Sequence, residues 1–353
     1  MEGNAHRAWR ASTSHRPIVC GYRILSALVA LAVLLAGLGA LPGYGAAAPA
    51  PQGRSLPLLG FLSEGNPGPN PLNDAFWDGM HALGWQEGET IAVETRYAAQ
   101  SYERLHEAAE QLVALQPDVI FGSRSHEAEG PLVLTDTIPI VTAGSSDPVG
   151  LRLVRSLERP GGNVTGLYLL APEGAQRRLE LLQQLLPNMT RFALIWDVLD
   201  QERPLEYRQL RDAADALGLD LLSQEVRGPQ DLERAFQGAA DARADAIVLL
   251  GGLSITLNRP RVSALVAQTG LPVLAPDARY VQDGALLTYT PNQPDQWRRA
   301  AGYADRILKG ANPAELPMAG PEKYDLVVNL RTAQALGVTI PPEVLAQATE
   351  VIR

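Results

Sequence analysis

The sequence has almost no cysteine: one residue, Cys20, in a chain of 353. No disulfide can therefore form within the chain, and its stability must come from the burial of apolar side chains. Thiol nucleophiles and thiolate-bound metals are also excluded from everything that follows residue 20. The chain is long enough for two domains of ordinary size, so a core of the required extent is available.

Motifs of the common catalytic sites are absent as well. GLSIT (252–256) lacks the last glycine of GxSxG, and neither GxxxxGK[ST] nor GxGxxG occurs. Of the five histidines, His81, His106 and His126 lie beyond the N-terminal segment, and none has a second histidine three or four residues on. We therefore predict a protein that is not an enzyme and holds no metal and no cofactor, with an exported enzyme acting on small metabolites as an alternative.

The chain also lacks an excess of basic residues. It has 30 Lys and Arg against 39 Asp and Glu, which gives a formal net charge of −9. Proteins that bind nucleic acids present basic surfaces, so this balance argues against a nucleic-acid partner.

The N-terminus has the layout of a secretory signal. A basic stretch with four arginines precedes an uncharged apolar stretch from 24 to about 41, and small residues follow at 45–48. Signal peptidase accepts only small side chains near the cut, so we predict a signal peptide over 1–48, cleaved near Ala48. Export by a Sec-type route would place the rest of the chain in the periplasm or another extracytoplasmic space.

The sequence allows one alternative to a cleaved signal peptide and argues against two others. The apolar stretch is close to the about 20 residues that span a bilayer, so an uncleaved membrane anchor is the alternative to cleavage. A lipid anchor needs a cysteine just after the apolar stretch, whereas Cys20 lies before it. No Arg-Arg pair precedes the stretch, so a twin-arginine route is not indicated.

Short apolar or β-branched runs alternate with helical patterns along the rest of the chain. The strand-like runs are LPLLGFL (56–62), IAVETRY (91–97), DVIFG (118–122), IPIVTAG (138–144), FALIW (192–196), LDLLSQEV (219–226), AIVLLGG (246–252) and LPVLAP (271–276). Helical patterns separate them, and Ser101 has the position of an N-cap for one of the helices. Two series of βαβ units predict an α/β fold with two doubly wound parallel-sheet lobes.

Small and polar residues follow the predicted strands. Parallel sheets bind ligands beyond the carboxyl ends of their strands, where hydroxyls and backbone amides suit an anionic group and carboxylates suit an ammonium. Serine and aspartate are also ordinary helix caps, and Trp196 at a strand end is also an ordinary core residue. The candidate ligand-binding residues are Ser63, Glu64, Ser123, Arg124, Ser125, Gly144, Ser145, Ser146, Asp147, Trp196, Asp197, Gly251, Asp277 and Tyr289.

One long stretch has the form of a family motif. Residues 147–167, DPVGLRLVRSLERPGGNVTGL, resemble the segment DPVG followed by LVxSLxRPGGNVTG that is typical of the ABC transporter substrate-binding protein family. Characterised relatives in that family include tryptophan and tyrosine importers. Further stretches resemble the family in the same order, at 83–98, 103–120, 177–188, 298–317 and 324–341.

The resemblance implies a periplasmic-binding-protein type 1 fold, with two lobes joined by a three-strand hinge. The chain would cross near 168, return near 288 and cross again near 320. The implied lobes are 55–167 plus 288–319 for lobe 1, and 168–287 plus 320–353 for lobe 2. A ligand that touches both lobes only when they are closed would shift the population towards the closed form.

Two segments depart from the family. Relatives usually have a small Gly-Thr-Pro-Ala-Ala-like turn where this chain has GSRSHEAEG (122–130), and tend to have Ser-Tyr-Gly-Pro where it has LTYTPNQPD (287–295). Arg124, His126 and Glu127 in a turn that faces the cleft would change the size and charge of the pocket. The aromatic amino-acid specificity of some relatives therefore does not follow for this chain.

The predicted function is that of an extracytoplasmic solute-binding protein. It would capture a small molecule, such as an amino acid or a related compound, and deliver it to an ABC permease in the membrane. We expect a monomer, because the protein must present its cleft to the permease. The same fold could instead serve as the ligand-sensing module of a receptor kinase, and the sequence does not separate these two roles.

Overall fold

A computed structural model describes residues 54–99 and 101–353. The predicted signal peptide, 1–48, lies outside the described residues. Within the ranges described, no helix is both long and apolar enough to cross a membrane.

Strands and helices alternate along most of the chain. The strands are β1 (Leu58–Ser63), β2 (Ala92–Tyr97), β3 (Val119–Gly122), β4 (Ile140–Ser145), β5 (Val164–Tyr168), β6 (Arg191–Asp197), β7 (Asp220–Val226), β8 (Ala246–Leu249), β9 (Val273–Ala275), β10 (Leu287–Pro291), β11 (Tyr324–Asn329) and β12 (Glu350–Ile352). The α-helices are α1 (Pro71–Ala82), α2 (Tyr102–Ala114), α3 (Ser125–Leu132), α4 (Pro172–Leu185), α5 (Arg203–Leu217), α6 (Leu232–Asp241), α7 (Leu253–Thr256), α8 (Arg259–Thr269), α9 (Ala278–Gln282), α10 (Gln293–Leu308), α11 (Leu330–Leu336) and α12 (Pro342–Leu345). Short 3₁₀ turns occupy Pro229–Asp231 and Pro313–Glu315. The predicted α/β class is confirmed.

The first sheet has five parallel strands in the order β2-β1-β3-β4-β5. Adjacent residues of β1 point to opposite faces, so Phe61 packs with α1 and α10 while Leu62 packs with α2. Helices thus cover both faces, and β1, β3 and β4 are buried along their whole length. This burial explains why these strands are nearly continuous apolar runs in the sequence.

The second sheet has seven strands in the order β12-β11-β10-β9-β8-β6-β7. Its neighbouring strands are parallel except for β10 and β11, which are antiparallel. Leu194 of β6 packs with α4 and α5, whereas its neighbour Ile195 packs with α6 and α8. The second sheet therefore also has a helical layer on each face.

The chain passes between the two sheets three times: after β5 into α4, after β10 into α10, and before β11. Backbone hydrogen bonds hold these passages together, from Tyr168 N to Ala319 O at 3.0 Å and from Asn292 N to Lys323 O at 2.9 Å. Strand β10 pairs with β11 over its full length, so it lies wholly within the second sheet.

The segment between β8 and β9 differs from its sequence pattern. The pattern predicts one helix there, whereas the structure has the short α7 followed by α8. Pro260 has no backbone N–H and is tolerated only in the first turn of a helix, so a new helix begins at Arg259.

Candidate functional site

Buried serines join the loops that follow β3 and β4 at the carboxyl edge of the first sheet. The hydroxyl oxygens of Ser125 and Ser145 lie 3.0 Å apart, and both residues are fully buried. Ser146 N donates to Ser125 Oγ at 3.2 Å, and Arg124 forms an isolated bridge with Gly144. The structure therefore brings together five residues that the sequence predicted for the site.

Glu127, in the first turn of α3, holds the loop after β1 to the same edge. Its buried carboxylate accepts hydrogen bonds from Glu64 N, Ser123 Oγ and Arg124 N. Burial raises the pKa of Glu127, and the three hydrogen bonds oppose that rise only in part. We expected this residue to change the charge of the pocket, and the structure instead places its carboxylate between three loop segments.

Ser63 and Asp147 each shape the turn that follows their own strand. Ser63 Oγ accepts from Gly65 N at 3.2 Å, and Asp147 Oδ1 accepts from Gly150 N at 2.7 Å. The second carboxylate oxygen of Asp147 lies 3.9 Å from a guanidinium nitrogen of Arg208, which belongs to α5 of the second sheet. Asp147 is therefore one of the residues at which the first sheet's loops approach the second sheet.

Asp197 connects two strand ends of the second sheet. Its carboxylate is buried and accepts from Leu199 N and from Ser254 N, each at 3.0 Å. A Cβ added to Gly252 would lie 2.6 Å from Cβ of Asp197, so the chain after β8 passes close to this side chain. Gly251, the neighbouring candidate residue, lies in the same loop.

Trp196 and Asp277 make their contacts within the second lobe. The Trp196 ring is stacked on Tyr207 of α5 at 4.6 Å, and its Nε1 donates to Ser223 Oγ of the neighbouring strand at 2.9 Å. Asp277 caps α9 by accepting from Arg279 N at 2.9 Å, and it also pairs with the Arg279 guanidinium at 2.8 Å. That these two residues contact a ligand remains a prediction.

Tyr289 lies where the chain passes between the sheets. Its ring is stacked on Tyr324 with the centroids 4.8 Å apart, and its carbonyl accepts from Arg178 Nε at 3.0 Å. Burial and the neighbouring Tyr289 raise the pKa of Tyr324 to about 12. A small cavity beside this stack is lined by residues that include Tyr324, Arg178 and Ala171.

The sequence did not predict a network of four charged residues that begins at Arg178. Glu206 accepts hydrogen bonds from Arg178 Nη1 and, at 2.6 Å, from Arg203 Nη1, and Arg203 Nη2 donates to Glu202 Oε2 at 3.2 Å. Burial acts to raise the pKa of Glu206, but the two guanidiniums outweigh it and hold that pKa below its usual value. Glu206 therefore stays ionised although it is buried.

The charged network ends at the first lobe. Ser146 Oγ, on the loop after β4, donates to Glu202 Oε2 at 2.9 Å. Glu202, Arg203 and Glu206 are close in sequence, but such spacings are also ordinary for the solvated face of a helix. No signal in the sequence could therefore have identified this contact, because it depends on how the lobes meet.

A family model described as ABC transporter substrate binding protein matches residues 66–352. A curated relative, the tyrosine-binding protein of Clostridioides difficile (strain R20291), is 22% identical over 273 residues, which are 77% of this chain and 78% of the relative.

Two solved structures are similar over most of the chain. One is a domain from Streptococcus pneumonia in complex with L-Trp, 25% identical, with a TM-score of 0.73, covering 84% of this chain and 100% of that one. The other is a conserved domain protein from Vibrio cholerae, 29% identical, with a TM-score of 0.71, covering 84% of this chain and 99% of that one.

Proposed function

Because the chain belongs to the ABC transporter substrate binding protein family, we propose that it captures a small molecule between its two lobes and delivers it to an ABC importer. The resemblance predicted from residues 147–167 is confirmed, as is the periplasmic-binding-protein type 1 fold. The family consists of ligand-binding proteins, which also confirms the prediction that this protein is not an enzyme.

The meeting of the two lobes at Ser146 and Glu202 is the observation that carries the proposal. Loops from the carboxyl ends of both sheets face each other there, and ligands bind at such ends in α/β proteins. Three chain passages beside this region form a hinge about which the lobes can open and close.

We assign the ligand-binding wall of the first lobe to the converging loops, with Ser63, Glu64 and the candidate residues at 123–125 and 144–147. In the second lobe, Glu202 and Arg208 approach that wall. The remaining candidates stay part of the proposal as residues of the opposite wall or the hinge: Trp196, Asp197, Gly251, Asp277 and Tyr289.

The proposed ligand is an amino acid or a related compound. One relative is named a tyrosine-binding protein, and another was solved with L-Trp. An amino acid needs donors for its carboxylate and an acceptor for its ammonium group. The serine hydroxyls and backbone amides of the first lobe supply donors, while Asp147 and Glu202 supply acceptors.

The proposal includes the chain's location and its division into lobes. Substrate-binding proteins of this family are extracytoplasmic, so we propose export through the segment 1–48 and action as a monomer on a membrane permease. The pairing of β10 with β11 supports a lobe boundary at 292 rather than 288. Lobe 1 would then comprise 55–167 plus 292–319.

The test is a thermal-shift screen of the full chain against amino acids, nucleosides and small organic acids. A ligand at about 100 times its dissociation constant stabilises a protein by about 2.7 kcal/mol, so a true ligand gives a clear shift. Native mass spectrometry of gently purified protein would identify a ligand that is retained. Loss of its uptake by cells that lack this protein would establish delivery.

Site variants separate specific binding from general stabilisation. Ser146→Ala and Asp147→Ala should weaken binding of the ligand found by the screen, whereas Glu107→Ala, on the exposed face of α2, should not. A screen in which no amino acid shifts the unfolding temperature would contradict the proposed ligand class. Unchanged affinity in both site variants would contradict the proposed wall.

A further inference from the structure

The contact between Ser146 and Glu202 is supported on both sides by fixed groups. On the first lobe, Ser146 is buried and its backbone N–H is held by Ser125 Oγ, which in turn contacts Ser145 Oγ. The Ser146 hydroxyl therefore has a defined position at the edge of the sheet, and it donates to a carboxylate of the other lobe.

Glu202 is held equally firmly on the second lobe. Its backbone N–H donates to Asp200 Oδ1 at 2.9 Å, and the oxygen that accepts from Ser146 also accepts from Arg203. The side chains of Glu202 and Arg203 are each only 15% exposed. A charge-assisted hydrogen bond in such a setting is stronger than one on an open surface.

The support of Glu202 continues to the hinge. Arg203 shares Glu206 with Arg178, and Arg178 Nε donates to the carbonyl oxygen of Tyr289 on β10. An uninterrupted series of hydrogen bonds therefore runs from a hinge strand through the second lobe to Ser146. Contacts near the chain passages, such as that of Lys323 with Asp295, also join the lobes but lie at the hinge. The contact from Arg208 to Asp147 is 3.9 Å long and its guanidinium is half exposed, so it contributes little.

We propose that Glu202 is an inter-lobe latch: its hydrogen bond with Ser146 holds the lobes together before a ligand arrives, and Arg203 is the residue that positions its carboxylate. This inference rests on the proposed function, since a latch has a role only where two lobes open and close. It gives the ligand-free protein a larger population of the joined arrangement, which lowers the cost of closing on a ligand.

The test measures the distance between the lobes in the absence of ligand. The full chain carrying Cys20→Ser would receive spin labels at Val133→Cys and Leu257→Cys, two side chains that are 74% and 75% exposed in different lobes. Glu202→Ala should reduce the ratio of short to long inter-label distances by about tenfold or more, the effect expected for one hydrogen bond to a charged group. The control is Glu233→Ala, which removes an exposed ion pair with Arg261 within the second lobe. It should leave the ratio unchanged.

Two further variants separate the latch from a general loss of structure. Glu202→Asp keeps the charge beside Arg203 but shortens the side chain, so it should also lose the short distance while the unfolding temperature is retained. Ser146→Ala added to Glu202→Ala should cause no further change, because the two residues form one interaction. Unchanged distances in Glu202→Asp and Glu202→Ala would refute the latch. These measurements use no ligand, so a failed ligand screen would leave their outcome intact.

Discussion

A Cβ atom added to Gly166 would lie 2.1 Å from the carbonyl oxygen of Thr142, its partner on the neighbouring strand. Gly166 also has a φ of +128°, a conformation that residues with a Cβ rarely adopt. Strands β4 and β5 thus approach each other closely at this pair. Backbone geometry is therefore sufficient to explain the last glycine of the motif 147–167.

Gly166→Ala should destabilise the protein by more than about 2 kcal/mol, since it combines an unfavourable φ with a backbone clash. Urea unfolding followed by circular dichroism measures the change. Gly162→Ala in the same motif is the matched control, because nothing lies within 4 Å of its added Cβ. Equal stability of the two variants would show that the sheet does not depend on the close approach.

Glu127→Gln should lower the free energy of unfolding by about 1–3 kcal/mol, because the amide cannot accept from all three groups that now donate to the carboxylate. The measurement is the midpoint of chemical denaturation. The control is Glu107→Gln, which lies on the exposed face of α2. A midpoint that does not move in Glu127→Gln would mean that the loops after β1 and β3 are held by other contacts.

Asp197→Asn should destabilise the second lobe by about 1–3 kcal/mol, because the buried side chain keeps only one oxygen to accept from the two N–H groups that now donate to it. Asp220→Asn, whose side chain is 69% exposed, should change stability by less than about 0.5 kcal/mol. Calorimetric unfolding compares the two variants. A fall in ligand affinity with unchanged stability would instead place Asp197 in contact with the ligand.

Lowering the pH should favour the joined lobes through His126. A hydrogen bond with Glu129 raises the His126 pKa above its ordinary value of 6.5, burial opposes this, and the charges of Glu202 and Glu64 raise it further. Of these three carboxylates, Glu129 and Glu64 lie in the same lobe as His126, whereas Glu202 lies in the other lobe and moves away on opening. The joined arrangement therefore binds the proton more tightly.

The stabilisation of the joined lobes by protonated His126 is fully present below the His126 pKa of the open form. It disappears as the pH rises through the higher pKa of the joined form. Inter-label distances measured from about pH 5 to about pH 8 should lengthen with increasing pH. His106→Gln, on the exposed face of α2, should keep this dependence and His126→Gln should abolish it. A dependence that survives in His126→Gln would assign it to another group.

The sequence predicted the parts of the fold that follow from local patterns. Ser101 is the N-cap of α2 as predicted, since its hydroxyl accepts from Arg104 N. Strands β1, β3 and β4 were recognisable because burial along their whole length makes them nearly continuously apolar, whereas β5 was not among the predicted strands. Strand β10 was not among the predicted strand-like runs, because it contains polar residues such as Thr288. The Thr288 hydroxyl donates to the carbonyl oxygen of Ala275, a contact that only the pairing of strands creates.

The candidate site was predictable only in part. The serines after β4 were found because strand ends are general ligand positions. Glu202 was missed because its partner Ser146 lies 56 residues away, and the contact requires the two lobes to meet. Arg178 and Glu206 are 28 residues apart and come together through the packing of α4 against α5. The spacing of residues in the sequence does not predict such pairs.

Glu127 reaches its neighbours Glu64 and Arg124 through their backbone N–H groups and not through their side chains. These two hydrogen bonds therefore do not depend on which side chain, other than that of proline, stands at positions 64 and 124. Substitutions there could reshape the surface offered to a ligand while the loops keep their course. The course of these loops and the chemistry of their surface can therefore change independently at the two positions.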